Sequence, residues 1–429
     1  MNKTLKISMT ALAVALALTA CGGGGGSSGT VSGASTTTVG PITGFGSIFV
    51  NGVEFETPGA SVSVNKASGD VSNLKVGMMV TVQGSVNANG TSGTASIIQF
   101  TDELEGAVIS NSITTGQTTG TLNIMGQQVS VTSTTVFESA VTGIASVDQI
   151  VAGNIVEVSG YSSSTGSIDA TRIEVKAADL ASYLASHDAI EVKGVISGLD
   201  SNISLFTLGG MVVDYSGATL DGLPNGLAND LYVEVKSTAG IDPGTGHLIA
   251  SEVSIEDDGA PGVQGHDGEQ LDIHGAISRD FDTVSGTFEV NGTTVLIDSN
   301  TELNGMSTAD LKTGVVVEVE GQFDANGVLV ANSIHGDIEA DQELQGVVAS
   351  VALDAGSVNS GSVTLADSTV VLITNETVME DDRESNGGPS QTFNLSLLAA
   401  ADTVELDVYT DSHGALVATK LKREDATSH

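Results

Sequence analysis

The sequence predicts an all-β protein, a tandem array of about five small β-barrel domains behind a leader and a flexible tether. One pattern of short strands recurs five times along the chain, and these strands are rich in Val, Ile and Thr with glycines between them. The length of 429 residues also requires several domains, because single cores stop growing at about 250–300 residues.

The leader indicates export and lipid anchoring. Lys3 and Lys6 precede an apolar stretch, Ala11–Ala20, that is too short to span a bilayer, which takes about 20 apolar residues. Residues 1–20 therefore predict a signal peptide. The run Leu18-Thr19-Ala20-Cys21 resembles the lipobox of bacterial lipoproteins, which implies that the Cys21 thiol is lipidated and becomes the new N-terminus. An ordinary signal peptide with a chance cysteine is the alternative.

The residues after the lipobox predict how the folded part is held. Gly22 stands where an aspartate would, in lipoproteins, favour the inner membrane, so the resemblance implies the outer membrane and leaves its periplasmic or surface face open. Residues 21–39 are rich in Gly, Ser and Thr and predict a flexible tether. Cys21 is the only cysteine, so the folded part depends on its cores and not on disulfides.

Composition excludes several classes of partner. The chain has 53 acidic and 14 basic residues, and its formal net charge is −39. Such a surface repels phosphate backbones and anionic headgroups, so we expect no nucleic-acid binding. Aromatic residues make up only 3% and tryptophan is absent, which removes the stacking platforms that binding sites for sugars and single strands commonly use. Carbohydrate binding through carboxylates and amides stays open.

The first repeated element is a strand that contains a glycine. It occurs at Ile42-Thr43-Gly44, Leu104-Glu105-Gly106, Val192-Lys193-Gly194, Ile273-His274-Gly275 and Leu344-Gln345-Gly346. A hairpin follows at Val50-Asn51-Gly52, Ile124-Met125-Gly126, Leu208-Gly209-Gly210 and Val290-Asn291-Gly292. Its turn residues supply the positive φ angles of a type I′ turn. The fifth counterpart, Leu365-Ala366-Asp367, lacks the glycine, and we expect it to turn differently.

A later strand alternates apolar and polar residues. Alternation predicts that five positions point into the barrels, namely Val80, Val156, Val233, Val317 and Leu406. Their neighbours are expected to point outward, namely Thr81, Glu157, Glu234, Glu318 and Asp407. Each copy closes with a strand around Ala95, Ala170, Ala250, Ala331 or Ala418. Five short antiparallel strands with glycine corners are best buried in a small barrel similar to an OB fold, and a β-sandwich is the competing arrangement.

The order of these elements resembles the bacterial family catalogued as domain of unknown function 5666. The resemblance runs from Pro41 to Arg423 in five copies and is strongest in the fourth, where Val290-Asn291-Gly292 and Leu311-Lys312-Thr313-Gly314 fit. It implies a fold and an envelope location, and it brings no activity or catalytic residues.

The repeats and their junctions divide the chain after the tether. The predicted β-repeats are residues 40–103, 104–176, 190–257, 270–340 and 341–424, followed by a tail at 425–429. Residues 177–189 have apolar residues at helical spacing and predict a helical linker. Residues 258–269 predict an acidic, glycine-rich linker that lets copies one to three move against copies four and five. Each repeat is expected to bury its own core.

The search for chemistry gives candidates without a catalytic constellation. Acidic clusters occur at Asp102-Glu103-x-Glu105, Asp257-Asp258 and Glu380-Asp381-Asp382-x-Glu384, all at junctions or in loops. His274 and His335 lie at strand ends of one copy and could approach each other, but a third metal ligand is missing. We therefore assign no catalytic, cofactor-binding or metal residues, and we expect no enzymatic activity.

Three functional hypotheses follow. The first is a lipid-anchored envelope protein of non-catalytic repeats that acts as an interaction or scaffold module for an unidentified envelope protein partner. The second is a calcium-dependent adhesive module, in which acids at Asp257-Asp258-Gly259 or the turn Asp324-Ala325-Asn326-Gly327 bind Ca²⁺. The third and most remote is a hydrolase of envelope polymers, which needs an acid pair in a cleft.

Overall fold

A computed structural model of the chain describes residues 34–162, 167–256, 263–304, 306–338, 340–383, 393–411 and 413–425. These residues confirm the predicted all-β class and the array of small barrels, because strands dominate and the one α-helix, α1, is a single turn at Leu180–Tyr183. Short 3-10 helices lie at Val71–Asn73, Val147–Gln149 and Leu395–Leu397.

Each repeat contributes five main strands, with one or two short additions in most copies. The first barrel contains β1 Ala34–Phe45, β2 Ile48–Val50, β3 Val53–Glu56, β4 Ser61–Val64, β5 Ala67–Gly69, β6 Met79–Val86 and β7 Ser92–Phe100. The second contains β8 Leu104–Asn111, β9 Gly120–Ile124, β10 Gln127–Ser139, β11 Ile155–Ser162 and β12 Ile168–Ala177. The third contains β13 Ile190–Asp200, β14 Leu205–Leu208, β15 Met211–Asp214, β16 Thr219–Asp221, β17 Tyr232–Ser237, β18 Leu248–Ile249 and β19 Glu252–Ile255.

The last two barrels repeat this order. The fourth contains β20 Gln270–Asp282, β21 Thr287–Val290, β22 Thr293–Leu296, β23 Glu302–Asn304, β24 Val316–Phe323 and β25 Leu329–Gly336. The fifth contains β26 Gln342–Leu353, β27 Gly361–Leu365, β28 Val370–Ile373, β29 Val378–Asp381, β30 Thr403–Thr410 and β31 Leu416–Glu424.

Strand pairing in each repeat follows the order of an OB fold. In the fifth barrel, β26 pairs antiparallel with β27 on one side and with β30 on the other. β28 pairs antiparallel with β27 and parallel with β31, and β30 and β31 close the ring. The first strand is long enough to pair with the second strand through its C-terminal half and with the fourth through its N-terminal half. This is the small Greek-key barrel that the sequence predicts.

The barrel interiors confirm the predicted alternation. The five inward positions of the fourth-strand pattern are all at most 1% exposed: Val80, Val156, Val233, Val317 and Leu406. The predicted outward positions do point away from their own barrels, but Glu157 and Glu234 are buried because neighbouring barrels cover them. A side chain that points out of its own barrel can therefore still be buried in this protein.

The first-strand glycine makes room for the hairpin turn. Gly275 lies opposite Val317, and a Cβ at Gly275 would stand 2.2 Å from the Asn291 side-chain amide nitrogen. In the first barrel the residue at this register is Gly40, opposite Val80, and the side chain of its turn asparagine again occupies the space of a Cβ. The predicted motif at Gly44 is thus four residues too late.

Three of the four predicted type I′ turns agree with the sequence prediction, including Met125 and Gly126 at φ angles of 48° and 82°. Asn51 and Gly52 have φ angles of 48° and 70°, and Asn291 and Gly292 have φ angles of 45° and 78°, as type I′ turns require. The third hairpin is the exception, because Gly209 has a φ of 57° but Gly210 lies outside the positive-φ region. The fifth hairpin turns differently, as predicted: four residues separate β27 from β28, and Ser368 carries the positive φ of 75°.

Two strand pairings join separate barrels. β1 pairs parallel with β20, which connects the first barrel to the fourth, and β8 pairs antiparallel with β13, which connects the second to the third. The first pairing contradicts the expected movement of copies one to three against copies four and five. Buried residues of the second and third barrels also form one continuous cluster, so the expectation of a separate core in every repeat is wrong for this pair.

The predicted tether and linkers differ from the expectation in their described parts. β1 begins at Ala34, inside the segment predicted to be tether up to residue 39, because Thr36–Val39 pair with both β6 and β20. The predicted linker helix over 177–189 is reduced to α1, whose Tyr183 is 2% exposed. In the acidic linker, residues 257–262 lie outside the described ranges, and Val263 N donates to Thr293 Oγ1 at 2.8 Å.

Candidate functional site

Three carboxylates meet at the base of the second barrel. Glu105 on β8 and Glu157 on β11 lie directly opposite one another in the antiparallel register, and Asp102 immediately precedes β8. One carboxylate oxygen from each residue lies within 4.8 Å of the others. All three residues are at most 8% exposed. We call Asp102, Glu105 and Glu157 the carboxylate cluster.

Ammonium groups from two barrels face this cluster. Lys193 Nζ of the third barrel donates to the main-chain carbonyl of Asp102 at 2.7 Å and lies 3.5 Å from its Oδ1. Lys176 Nζ on β12 donates to Glu157 Oε2 at 3.1 Å. Asn65 of the first barrel accepts from the Asp102 main-chain N–H at 3.0 Å. The cluster therefore lies where the first three barrels meet.

Burial raises the pKa of two carboxyls in the cluster. Removal from water raises the pKa of Asp102 to about 7, although the Lys193 ammonium opposes this rise. Burial likewise raises the pKa of Glu105 to about 8, against the hydrogen bond it accepts from Tyr183 and with the charges of Asp102 and Glu157 adding to the rise. Near neutral pH the carboxylate cluster can hold protons, and a divalent cation that bound there would displace them.

A second group of ion pairs joins the first and third barrels. Lys66 Nζ lies 2.7 Å from Glu256 Oε1 and 3.4 Å from Glu234 Oε2. Lys236 Nζ lies 3.0 Å from Glu234 Oε1. Burial opposes ionisation of Glu234, yet the neighbouring Lys236 holds its pKa at about 2. Glu234 thus stays ionised although it is buried.

A third group joins the first and second barrels. Arg172 is 2% exposed and ion-pairs with Glu138 and, at 2.9 Å, with Glu174 Oε2. Arg172 also donates from Nη1 to the main-chain carbonyl of Val76 at 3.3 Å. Lys75 Nζ of the first barrel lies 2.9 Å from Glu138 Oε2. Burial opposes ionisation of Glu174, but the surrounding cations hold its pKa at about 2.

The described cations are all used in ion pairs. Of the 14 Lys and Arg in the sequence, Lys3 and Lys6 lie outside the described ranges. Every other Lys and Arg forms an ion pair with a carboxylate of the chain. Half of these lie among the first three barrels: Lys66, Lys75, Arg172, Lys176, Lys193 and Lys236. Three of these six pair with a carboxylate of another barrel, namely Lys66, Lys75 and Lys193.

A groove between the first two barrels leads toward the carboxylate cluster. It encloses about 340 Å³, and its lining includes Met78 and Phe100 beside Lys75, Lys176 and Glu157. Glu157 therefore belongs both to the groove and to the cluster. Asp102 and Glu105 do not line the groove, and Glu157 itself is 8% exposed.

Another acidic contact involves the fourth barrel. Asn51 Nδ2 of the first barrel donates to Asp272 Oδ1 at 2.9 Å. Burial, with the charge of Glu318 adding, raises the pKa of Asp272, and burial raises the pKa of Glu318 to about 7. The His274 ring lies 5.3 Å from the Tyr161 ring of the second barrel, and burial lowers its pKa. His274 is thus a packed interface residue.

The structure separates the two candidate histidines. His274 on β20 and His335 on β25 both lie opposite Glu318 on the intervening strand β24. Since neighbouring strands are about 4.8 Å apart, the two histidines lie about 10 Å apart across the sheet. They do not form a metal pair.

The other predicted acids have partners within the chain. Asp324 Oδ1 accepts from the N–H groups of Asn326 and Val328 at 2.8 and 2.9 Å, so it stabilises its own turn. Ion pairs occupy the acidic insertion: Glu380 with Lys420 at 3.0 Å, Asp381 with Arg383 at 2.7 Å, and Asp382 with Lys422 at 3.0 Å. Cys21, Asp257, Asp258 and Glu384 lie outside the described residues.

Sequence reasoning found part of the carboxylate cluster. Asp102 and Glu105 were candidates, and Glu103 beside them instead accepts a hydrogen bond from Ser162. Glu157 was expected to face solvent, and Lys193 was not singled out. The sequence did contain a signal for these two residues. Glu157 and Lys193 are charged residues in the middle of barrel strands, at positions that only another barrel could cover.

One family model matches the chain five times. It is the domain of unknown function DUF5666, matched over residues 29–99, 105–174, 179–254, 274–335 and 345–422. The chain belongs to the DUF5666 family. Each DUF5666 match covers most of one barrel, which confirms the resemblance inferred from the repeats. No curated protein matches the chain. Among the described residues, no helix is both long and apolar enough to span a bilayer.

Proposed function

We propose that this DUF5666 protein is a lipid-anchored scaffold of the bacterial cell envelope, with no catalytic role. Its barrels would be held at the outer membrane through lipidated Cys21 and would present their surface to an envelope protein partner. The observation that carries the proposal is the pairing of the Lys and Arg side chains with carboxylates of the same chain. Every described Lys and Arg forms an ion pair within the chain, and Lys66, Lys75 and Lys193 each pair with a carboxylate of another barrel, which supports a role for these charges in assembly.

The remaining surface supports a protein partner. With the cations paired internally, a formal charge of −39 leaves the exterior acidic. An acidic exterior repels nucleic acids and anionic headgroups, so the lipid at Cys21 and not the barrel surface would hold the protein at the membrane.

Membrane fractionation tests the anchor. Cys21→Ser removes the lipidated thiol, and we expect the protein to move from the membrane fraction to the soluble fraction. Gly22→Asp is the matched control, because it keeps the thiol and should move the protein to the inner membrane. A Cys21→Ser protein that stays in the outer-membrane fraction would contradict the proposal.

The carboxylate cluster supports a second candidate, a calcium-dependent module. Ca²⁺ takes six to eight oxygen ligands, and this cluster offers three carboxylates beside a groove that small ions can enter. An ion that binds only the folded state stabilises it by RT ln(1 + [L]/Kd), which is about 2.7 kcal/mol at 100 times Kd. Such binding would stiffen the contact among the first three barrels.

A thermal melt of residues 27–429, first with EDTA and then with millimolar Ca²⁺, tests this candidate. If the cluster binds calcium, the melting temperature rises with Ca²⁺ in the wild type and not in Glu157→Gln. Glu302→Gln, an exposed acid of the fourth barrel, is the control and should respond as the wild type does. An equal response of wild type and Glu157→Gln would remove the candidate.

A further inference from the structure

The N-terminal half of the first strand is a docking edge in four of the five barrels. Along one edge this half-strand pairs with the fourth strand of its own barrel, and along the other edge it pairs with a strand of another barrel. Thr36–Val39 of β1 pair with Gln270–Ile273 of β20, and Leu104 and Glu105 of β8 pair with Val192 and Glu191 of β13. The first barrel thus docks on the fourth, and the second docks on the third.

The fifth barrel has the same edge without an occupant among the described residues. Gln342–Val347 pair with β30 on one side, and β27 joins β26 only from Val348 onward. No strand in the described ranges pairs with the other side of Gln342–Gly346, whereas the Val347 carbonyl already accepts from Ala366 N at 2.8 Å. Gln342, Glu343, Gln345 and Val347 are all exposed. An open edge of this kind is a template for another strand.

A single position shows the effect of docking. The residue two places before the first-strand glycine is at most 1% exposed in each docked barrel: Thr38, Leu104, Val192 and Ile273. Its counterpart in the fifth barrel is Leu344, which packs against its own core but remains partly exposed. Leu344 therefore lacks the cover that a docked barrel gives.

The pairing of the second and third barrels has local two-fold symmetry. Leu104 stands two places before Gly106, Val192 stands two places before Gly194, and these two residues face each other. Because equivalent positions meet in an antiparallel pair, two identical barrels can form the same contact. The pairing of the first and fourth barrels is parallel and offset by one position, so it lacks this property.

We propose that the open edge of β26 binds the same edge of a second copy of this chain, as an antiparallel pair centred on Leu344. This deepens the scaffold role by naming the partner at one surface, and it does not require the lipid anchor. In this register Leu344 faces the partner's Leu344, and Glu343 faces the partner's Gln345. No like charges stand directly opposite each other, and the two leucines cover one another.

The fifth hairpin makes this contact weaker than the internal one. In the second and third barrels the hairpin tips also touch, with Gly210 N donating to Gly126 O at 3.1 Å. The fifth hairpin has a four-residue loop and no glycine at its tip, so strand pairing and Leu344 carry the dimer. Anchoring both copies on one membrane would raise their effective concentration and compensate for a weak contact.

Sedimentation of residues 27–429, which contain every strand of the described ranges, tests the proposal. We expect a concentration-dependent dimer. Gln345→Lys places an ammonium opposite the partner's Glu343 twice in each dimer, so the dissociation constant should fall about two- to thirty-fold. Gln345→Glu creates two like-charge pairs across the dimer and should raise the dissociation constant by a similar factor. Within each copy it also removes the hydrogen bond that the Gln345 amide donates to Glu424 Oε2 at 3.0 Å. In the double variant Glu343→Gln, Gln345→Lys the dissociation constant should no longer be lower than that of the wild type.

Three results would overturn the proposal. One is a monomer at every concentration up to about 1 mM, the weak limit of specific association. Another is a dimer whose dissociation constant is the same in wild type, Gln345→Lys and Gln345→Glu, because dimerisation then uses another surface. The third is tighter association with Gln345→Lys that survives addition of Glu343→Gln. Unchanged melting temperatures establish that the variants fold. Fractionation of Cys21→Ser is independent of all three, so failure here is distinguishable from failure of the anchor.

Discussion

Replacing Glu105 by Gln should stabilise the protein at alkaline pH and have little effect at acidic pH. The substitution keeps the size of the side chain and an oxygen that can accept from Tyr183, while it removes the ionisable group. The folded-state pKa of Glu105, about 8, lies above its ordinary value of 4.5. Ionisation therefore opposes folding, and the wild type loses stability as the pH rises from about 4.5 through 8.

The size of the effect follows from the pKa shift. A rise from 4.5 to about 8 corresponds to about 5 kcal/mol, at roughly 1.4 kcal/mol for each pH unit. The pKa of about 8 already includes the opposing charge of Lys176, and local relaxation reduces this ceiling further. We expect Glu105→Gln to raise the free energy of unfolding by about 2 kcal/mol or more at pH 9 and by less than about 1 kcal/mol at pH 5.

Urea unfolding of residues 27–429 at pH 5 and pH 9 measures this difference. Glu302→Gln is the control, because Glu302 is exposed and should change the free energy of unfolding by no more than about 0.5 kcal/mol at either pH. A Glu105→Gln protein that is less stable than the wild type at pH 9, or equally changed at both pH values, would refute the reasoning about burial.

Other substitutions test the contacts between barrels and the barrel corners. Arg172→Met leaves Glu138 and Glu174 without their buried cation and should lower the free energy of unfolding by about 3 kcal/mol in the same urea assay. Lys312→Met, which removes an exposed ion pair, is the control and should lower it by less than about 1 kcal/mol. Gly321→Ala places a Cβ 2.5 Å from the Val330 carbonyl oxygen and should lower the melting temperature. Gly217→Ala meets no atom within 4 Å and should leave it unchanged. Equal effects within either pair would contradict the assigned contacts.

The strands and turns could be predicted because their causes are local. Asn51-Gly52 and Asn291-Gly292 set a type I′ turn by themselves, and alternation of Val317 and Val319 with polar residues sets the inward face. The first-strand motif was misplaced in the first barrel because Gly40 and Gly44 both fit the pattern. Only the register against Val80 distinguishes them.

The contacts between barrels could not be predicted because they join residues far apart in sequence. Lys66 pairs with Glu234 and Glu256, and Asn51 bonds Asp272, although each pair lies in different repeats. The strand alternation shows only that such residues leave their own barrel, and it does not show what covers them. For this reason Glu157 was not predicted to join Asp102 and Glu105 in the carboxylate cluster.

Hydrogen exchange of residues 27–429 at high dilution tests the central claim most directly, namely that barrel-to-barrel strand pairing builds the body and leaves one edge open. The account predicts slow exchange throughout Thr36–Val39 and Gln270–Ile273, which have neighbours on both sides. It predicts fast exchange at alternate amides of Gln342–Gly346, which have a neighbour on one side only. Exchange of Thr36–Val39 and Gln270–Ile273 as fast as that of Gln342–Gly346 would contradict it.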